Sequence, residues 1–328
     1  MSEQRAHEAT EHLTFADNRL AADLSGEHDA HLMILEEALG VRIDPRGNRF
    51  AVTGPAPARA RAAAILNALY GQLERGEGIG EAEVRAAAKL ADAPGAPASG
   101  AAIPAIRTPK RLIGPRTPNQ RLYLDALASA DLVFGVGPAG TGKTYLAVAQ
   151  AVGLLLSGAV ERIVLSRPAL EAGERIGFLP GDMKEKVDPY LRPLYDALHD
   201  MMHADYIERR IASREIEIAP LAFMRGRTLA RAAVILDEAQ NATVAQMKMF
   251  LTRLGEGAHM AVTGDPSQSD LPAGEASGLA DALELLEGVA GVAVTRFTSA
   301  DVVRHPLVAK VIEAYERREE KARAKKKR

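Results

Sequence analysis

A glycine-rich segment between an apolar strand and a helix restricts this chain more than any other part of its sequence. Residues 137–144 read GPAGTGKT, a complete G-x-x-x-x-G-K-[ST] pattern. The pattern follows the apolar run LVFGV, Leu132–Val136, and a predicted helix begins near Tyr145. In this context the glycines let backbone N–H groups turn toward phosphate oxygens, and the helix N-terminus adds its positive end. The segment predicts a phosphate-binding loop in an α/β fold, and the alternative is a glycine-rich turn without a ligand.

The loop also predicts individual roles for its residues. We expect Lys143 to bridge the β- and γ-phosphates and to take part in catalysis, and we expect the Thr144 hydroxyl to bind Mg²⁺. The predicted phosphate-binding residues are Gly137, Pro138, Ala139, Gly140, Thr141, Gly142, Lys143 and Thr144.

Apolar runs alternate with helical patterns on both sides of this loop. The predicted strands are Leu132–Val136, Arg162–Ser166, Ile216–Ala219, Ala233–Asp237, His259–Asp265 and Gly291–Phe297. Helices are predicted over Tyr190–His203, Val244–Leu254 and Ala276–Leu286. Near-continuous apolar strands separated by helices are typical of a parallel sheet that is covered on both faces. The expected fold class is therefore α/β with a mainly parallel sheet.

Two adjacent acids end one of these strands, in AVILDEAQN. We expect Asp237 to hold Mg²⁺ and Glu238 to polarise an attacking water molecule. The alternative is that the two acids simply cap a helix. If they act on a nucleotide, the second acid favours hydrolysis over simple binding or transfer to a small molecule.

Two glutamines are further candidates. VTGDPSQ places Gln268 where the next parallel strand ends, at the edge of the sheet where ligands bind, so we expect it to sense the γ-phosphate. The alternative is an ordinary type I turn. Gln120, in TPNQRLY, lies about twenty residues before the loop and is a candidate to hydrogen-bond an adenine edge.

Four arginines lie at strand or turn ends: Arg167, Arg225, Arg227 and Arg304. A guanidinium stabilises the negative charge of a γ-phosphate transition state. We favour Arg304 in this role, supplied within the chain or by a neighbouring subunit. Its alternative is an ion pair, for instance with Asp301, and the other three arginines are equally candidates for contacts with nucleic acid or a neighbour.

The chain divides by composition. Residues 1–19 are predicted as a tail, 20–90 as a small β-α-β-β-α domain, 91–114 as a Pro/Gly/Ala linker, 115–312 as the nucleotide-binding domain, and 313–328 as a basic tail. The small domain begins with a predicted strand at Leu20–Leu24 and resembles a KH-like module, although the Gly-x-x-Gly loop of such modules is missing. A nucleic-acid role there would depend on Arg42, Arg46 and Arg49; the alternative is a packing or oligomerisation domain.

The absence of cysteine, together with the polarity of the N-terminus, limits the remaining function classes. With no Cys in the chain, disulfides, thiolate nucleophiles and Cys-ligated metals are excluded. The N-terminus has no apolar signal region, and the most apolar stretch, residues 146–160, is shorter than the roughly 20 residues that cross a bilayer. We expect a cytoplasmic protein with no membrane segment.

Together with the phosphate loop, five blocks resemble the PhoH family, ATPases named as phosphate starvation-inducible proteins. The blocks are SRPALEAGERIGFLPGDMKEKVDPYLRPLYDAL (166–198), PLAFMRGRTL (220–229), LDEAQNAT (236–243), TGDPSQSDLP (263–272) and VVRHPLV (302–308). Residues 19–54 also look like the small domain of the bacterial members.

The resemblance implies a cytoplasmic protein that binds ATP and Mg²⁺ through a RecA-like P-loop NTPase core, similar to half of a superfamily-one helicase. In that family pattern residues 137–144 bind phosphates, Asp237 and Glu238 serve metal and water, Gln268 lies in the third helicase-like motif, and Gln120 lies on the adenine side. A two-domain helicase binds ATP between two cores. This chain has one, so the resemblance implies a homo-oligomer, such as a hexameric ring.

The same resemblance implies partners in RNA metabolism, namely single-stranded RNA and a separate endoribonuclease. The small domain lacks the acid cluster of the PIN nuclease domain that some members carry, so we expect no ribonuclease activity in this chain. The first hypothesis is an ATPase coupled to RNA or ribonucleoprotein remodelling. The second is a nucleotide-gated oligomeric module that recruits a partner without translocating nucleic acid. A small-molecule kinase is disfavoured by the paired acids and by GDPSQ.

Overall fold

The structure of the protein, a computed structural model, describes residues 9–91, 105–168, 183–272, 274–303 and 318, with only the backbone of 183–190. The described chain forms two compact units. Of the described residues, 9–91, 105 and 114–121 belong to the first unit, and 106–113, 122–168, 183–272, 274–303 and 318 belong to the second.

The first unit combines a three-stranded antiparallel sheet with four helices. Its strands are β1 (Thr10–Thr14), β2 (Arg42–Arg46) and β3 (Arg49–Thr53), and its helices are α1 (Asn18–Ser25), α2 (Ala30–Leu39), α3 (Ala56–Glu74) and α4 (Glu81–Ala91). The strand order across the sheet is β1-β3-β2. The aromatic rings of Phe15, Phe50 and Tyr70 pack together in its core, with Phe15 stacked on Tyr70 at a centroid distance of 4.5 Å.

The predicted strand at Leu20–Leu24 is wrong, because these residues lie in α1. The Asp17 side chain caps this helix by accepting a hydrogen bond from the backbone N–H of Arg19 at 2.7 Å. A run of five residues with apolar positions four apart fits a helix turn as well as a strand, so periodicity alone did not separate the two. The first strand is instead β1, within the residues predicted as a tail, and α4 is a further helix that the pattern did not predict.

The second unit is built on a six-stranded parallel sheet. Its strands are β6 (Leu132–Val136), β7 (Arg162–Arg167), β8 (Ile216–Pro220), β9 (Ala232–Leu236), β10 (His259–Gly264) and β11 (Val292–Arg296). Their order across the sheet is β11-β6-β10-β9-β7-β8. A short antiparallel pair, β4 (Ile106–Arg107) and β5 (Leu112–Ile113), lies within the residues predicted as a linker. All six predicted strands of this sheet are confirmed, and so is the α/β fold class.

Helices cover both faces of this sheet. They are α5 (Pro118–Ser129), α6 (Lys143–Ser157), α7 (Met183–Met201), α8 (Ala204–Ala212), α9 (Val244–Leu251) and α10 (Gly278–Leu286). Alternate residues of the strands face two separate cores, one shared with α6 and α7 and the other with α9 and α10. This double burial explains why the strands are apolar almost without interruption. Within the described stretches of the chain, no helix is both long and apolar enough to cross a membrane.

Candidate nucleotide-binding site

The phosphate loop joins β6 to α6 in a conformation that requires glycine. Gly137, Gly140 and Gly142 have φ values of 139°, 81° and 84°. A Cβ atom on Gly137 would lie 2.4 Å from the carbonyl oxygen of Phe297, so a larger residue would also collide with the backbone of the segment that follows β11. The positions that the sequence pattern fixes as glycine are thus demanded by backbone geometry and space.

Lys143 is buried at the start of α6 and is bound to the loop itself. Its Nζ donates hydrogen bonds to the carbonyl oxygens of Gly137 and Pro138, at 2.7 and 2.8 Å. Burial lowers the pKa of this ammonium group, and the nearby carboxylates of Asp265, Asp237 and Glu238 oppose that effect. An ammonium group has three N–H donors, and these two loop carbonyls occupy two of them.

Strand register brings three polar side chains together at the carboxyl end of the sheet. Val262 of β10 and Ser166 of β7 both lie beside Leu236 of β9. Thr263, Arg167 and Asp237 directly follow Val262, Ser166 and Leu236 in sequence. The three side chains therefore form one row across the sheet. Side chains at equal positions on neighbouring parallel strands point to the same face, which here is the face that carries α6.

Asp237 is the centre of this arrangement. Its Oδ1 accepts hydrogen bonds from the hydroxyls of Thr144 at 2.6 Å and Thr263 at 2.8 Å. Its Oδ2 accepts a hydrogen bond from Nε of Arg167 at 2.8 Å. The residue is only 3% exposed, so these three donors stabilise a carboxylate that burial would otherwise disfavour.

Glu238 has a left-handed backbone and shares one hydrogen-bond donor, Arg167, with Asp237. Its φ and ψ are 52° and 39°, a conformation that is uncommon for a residue with a side chain. Its Oε1 accepts a hydrogen bond from Arg167 Nη2 at 3.0 Å, and its Oε2 accepts one from Gln240 Nε2 at 2.5 Å. Arg167 therefore bridges the two adjacent acids.

The residues present fit Mg²⁺. Thr144 and Asp237 supply hydroxyl and carboxylate oxygens beside the phosphate loop, and Mg²⁺ prefers oxygen donors. Among the residues that the structure describes, no group of three acids or histidines could hold a metal ion. Mg²⁺ is usually held by one or two protein ligands together with water and substrate phosphates.

Of the other predicted residues, Gln268 lies at the same edge of the sheet in an exposed turn, where its backbone N–H donates to the carbonyl oxygen of Asp265 at 3.0 Å. Gln120 lies in the first turn of α5 and is buried, and its Oε1 accepts from the backbone N–H of Arg116 at 2.7 Å. Their roles toward a nucleotide remain predictions.

The four arginines have different environments. Arg167 is in the site, Arg227 forms a two-fold hydrogen-bonded ion pair with Glu217 at 2.6 and 2.7 Å, and Arg225 is exposed. Arg304, the favoured candidate, lies outside the described residues. The backbone N–H of Val303, which precedes it in sequence, donates to the carbonyl oxygen of Gly140 at 3.0 Å.

Sequence reasoning missed Thr263 and Gln240 altogether, and it did not single out Arg167 from the other arginines. Thr263 and Arg167 had a detectable signal, because each is a polar residue at the carboxyl end of an apolar strand. Gln240 had no such signal, since it lies in a turn after the acids and only its tertiary contacts distinguish it.

The fold and the site place the protein in the class of P-loop nucleotide-binding α/β proteins. Residues 112–316 match the family described as PhoH-like protein. The PhoH-like protein of Bacillus subtilis (strain 168) is 50% identical over 316 residues, which cover 94% of this chain and 99% of the relative. That of Mycobacterium tuberculosis (strain H37Rv) is 46% identical over 92% of this chain and 86% of its own length. Protein PhoH of Escherichia coli (strain K12) is 48% identical over 61% of this chain and 57% of its own length. The chain belongs to the PhoH family.

Proposed function

We propose that this protein binds ATP with Mg²⁺ and hydrolyses the bond to the γ-phosphate. The observation that carries the proposal is the convergence of Thr144, Thr263 and Arg167 on the buried carboxylate of Asp237, directly beside Lys143 and the phosphate loop. An arrangement that only capped a helix would need neither the loop hydroxyl nor the guanidinium.

Each residue has a separate part in the proposed reaction. Backbone N–H groups of the loop and the Lys143 ammonium bind phosphate oxygens, and Thr144 and Asp237 hold the metal ion. Mg²⁺, when bound, neutralises charge on the phosphate oxygens. Glu238 orients a water molecule and accepts its proton, while Arg167 holds both carboxylates in place by donating a hydrogen bond to each. In this proposal Gln268 senses the γ-phosphate, and Arg304 adds a second guanidinium.

We further propose that hydrolysis is coupled to RNA. Arg46 and Arg49 are register partners in the β2–β3 hairpin of the first unit, and both are exposed. Like charges that face each other across two strands repel, and a phosphate group between them would relieve that repulsion. Arg42 contributes less, because it is paired with Asp44 at 3.1 Å.

We also propose an assembly state and a cellular location for the protein. One P-loop core per chain favours a homo-oligomer in which a neighbour completes the site, with a hexameric ring as one form, and an endoribonuclease is the expected protein partner. The proposed compartment is the cytoplasm, which agrees with a chain that contains no cysteine.

The turn between α1 and α2 favours a second candidate function, the nucleotide-gated module. In KH modules the corresponding loop clamps the nucleic-acid backbone through Gly-x-x-Gly. Here the turn begins with Gly26 and continues with Glu27, His28 and Asp29, and its two acids are exposed. Carboxylates at this position repel phosphate, which supports partner recruitment without RNA.

Phosphate release from ATP by the full chain separates the two functions. Single-stranded RNA is added at two salt concentrations, with Lys143→Ala as the control for nucleotide binding. Coupling to RNA predicts stimulation that is lost in Lys143→Ala. The Arg46→Gln/Arg49→Gln double variant should reduce the slope of log affinity for RNA against log salt by about 0.7, the value for the single phosphate contact that the two arginines share. The matched Arg75→Gln variant, whose exposed arginine pairs with Glu77 in the same unit, should leave the slope unchanged. ATP turnover that RNA does not change would favour the nucleotide-gated module. If no turnover depends on Lys143, the proposed hydrolysis is overturned.

A further inference from the structure

We propose that Gln240 is a positioning residue that holds Glu238 in its working orientation and couples it to the loop formed by residues 265–270. This inference rests on the proposed hydrolysis of ATP, because it concerns the group that is to orient water. Gln240 is not part of the phosphate loop, the proposed metal-binding pair or the group of candidate arginines.

The side-chain amide of Gln240 joins Glu238 to the backbone of that loop. Its Nε2 donates to Glu238 Oε2 at 2.5 Å, and its Oε1 accepts from the N–H of Asp265 at 3.0 Å. A backbone N–H can only donate and an ionised carboxylate can only accept. The two neighbours therefore allow a single orientation of the amide, and each end of it has a distinct task.

The space around the amide is closed. Gln240 is 3% exposed, so its polar atoms have no ready exchange with solvent. A Cβ atom on Gly264 would lie 2.6 Å from Gln240 Oε1 and 2.7 Å from Leu279 Cδ2. The missing side chain of Gly264 thus provides the room in which the amide lies.

The loop is anchored to the same turn at a second place. The backbone N–H of Asp270 donates to Asn241 Oδ1 at 2.9 Å, and the Ser269 hydroxyl donates to the carbonyl oxygen of Gln240 at 3.2 Å. Gln268 lies between the anchors at Asp265 and at Ser269 and Asp270. A ligand that moves Gln268 therefore pulls on the turn that carries Glu238, which is how γ-phosphate sensing would reach the water-orienting carboxylate.

Substitution of Gln240 by Glu separates positioning from simple anchoring. A glutamate keeps the acceptor for the Asp265 N–H but places a second carboxylate against Glu238, whereas Gln240→Met removes both hydrogen bonds. The matched control is Gln246→Glu, because the Gln246 amide oxygen accepts from the Thr243 N–H at 2.9 Å in a capping box where Glu serves equally well.

Three quantities are measured for each variant: kcat for phosphate release, Kd for a fluorescent ATP analogue, and Tm without nucleotide. We expect both Gln240 variants to lose about tenfold to a hundredfold in kcat, as misplaced catalytic groups do, with unchanged Kd. The Glu238→Gln/Gln240→Glu double variant exchanges donor and acceptor, so its Tm should exceed that of Gln240→Glu alone. The Tm comparison does not depend on turnover, so it tests the link between the two side chains even if Gln240→Glu folds poorly.

The possible failures are distinguishable. If the wild type shows no turnover that depends on Lys143, the proposed hydrolysis fails, whatever Gln240 does. If the wild type turns over and Gln240→Glu keeps its kcat, Gln240 only anchors the loop and the inference is overturned. A double variant no more stable than Gln240→Glu would likewise remove the direct link between the two side chains.

Discussion

The hydroxyl of Thr144 donates to Oδ1 of Asp237 over 2.6 Å and joins residues that are 93 positions apart in sequence. One belongs to the helix that follows the phosphate loop, and the other follows β9. The hydrogen bond presents two oxygen ligands at one point beside the phosphate-binding backbone, as a site for Mg²⁺ requires. Asp237 also accepts hydrogen bonds from Arg167 and Thr263, so substitutions at Thr144, Arg167 or Thr263 should each alter the proposed metal position.

Replacing Thr144 tests this pair directly. Thr144→Val keeps the shape of the side chain and removes the hydroxyl, so we expect the gain in nucleotide affinity that Mg²⁺ provides to fall about tenfold, equivalent to about 1.4 kcal/mol. Thr144→Ser keeps the hydroxyl and should bind like the wild type. The measurement is Kd for a fluorescent ATP analogue with Mg²⁺ and with EDTA; equal Mg²⁺ dependence in the Val and Ser variants would contradict the assignment.

Removal of Arg167 should destabilise the nucleotide-free protein. Arg167→Ala leaves the buried Asp237 carboxylate without its charged partner, at a cost of about 3 kcal/mol in the free energy of unfolding. Arg227→Ala is the matched control, since it breaks the ion pair with Glu217, whose partners are each about a third exposed, and should cost about 1 kcal/mol. Urea unfolding of the two variants decides the matter, and equal losses would argue against a special role for Arg167.

Tyr123 should make the free energy of unfolding depend on pH. It is fully buried, and its hydroxyl has no hydrogen-bond partner in the described part of the chain. Burial, and secondly the charge of Asp237, raise the pKa of this phenol above its ordinary value of 10.0. Above that pH the unfolded chain releases the proton and the folded chain keeps it, so stability falls as the pH rises.

The variant Tyr123→Phe has neither the unpaired buried hydroxyl nor the titrating phenol. We expect its free energy of unfolding to exceed that of the wild type by about 1 kcal/mol at neutral pH, because an unsatisfied buried hydroxyl is removed. The difference should widen above pH 10, where only the wild type is affected by this titration. Urea unfolding at both pH values checks the prediction; a variant less stable than the wild type would mean that the hydroxyl makes a stabilising contact.

Gly264→Ala perturbs Gln240 without changing it. The added methyl group would displace the Gln240 amide and press on Leu279, which should cost about 1–3 kcal/mol of stability. We expect kcat to fall while the Kd for the ATP analogue is unchanged, because Gly264 meets the phosphate loop through its backbone carbonyl oxygen, which accepts from the Gly137 N–H at 3.1 Å, and the substitution keeps that carbonyl. Gly78→Ala is the control, since open space surrounds Gly78. A Gly264→Ala variant that folds and keeps the wild-type kcat would argue against the role of Gln240.

Local sequence patterns were sufficient where one element defines the feature. The six strands of the large sheet were predictable because burial on both faces requires continuous apolar runs. The phosphate loop was predictable because the backbone conformation of this eight-residue segment requires glycine at fixed positions. The predicted strand at Leu20–Leu24 was wrong because a segment of five residues is too short to show whether its apolar residues repeat every two residues or nearly every four.

The sequence by itself determined the local chemistry of this protein, namely a loop that can bind phosphates and a strand that ends in two acids. Only the tertiary structure decided which side chains meet those acids. Arg167 and Thr263 are 70 and 26 residues away from Asp237, and the register of separate strands brings them beside it. Gln240 lies near Glu238 in sequence, yet its second partner is in another loop. Strand order and register depend on how the two cores of the whole sheet pack, and this long-range free energy is not expressed in any short stretch of sequence.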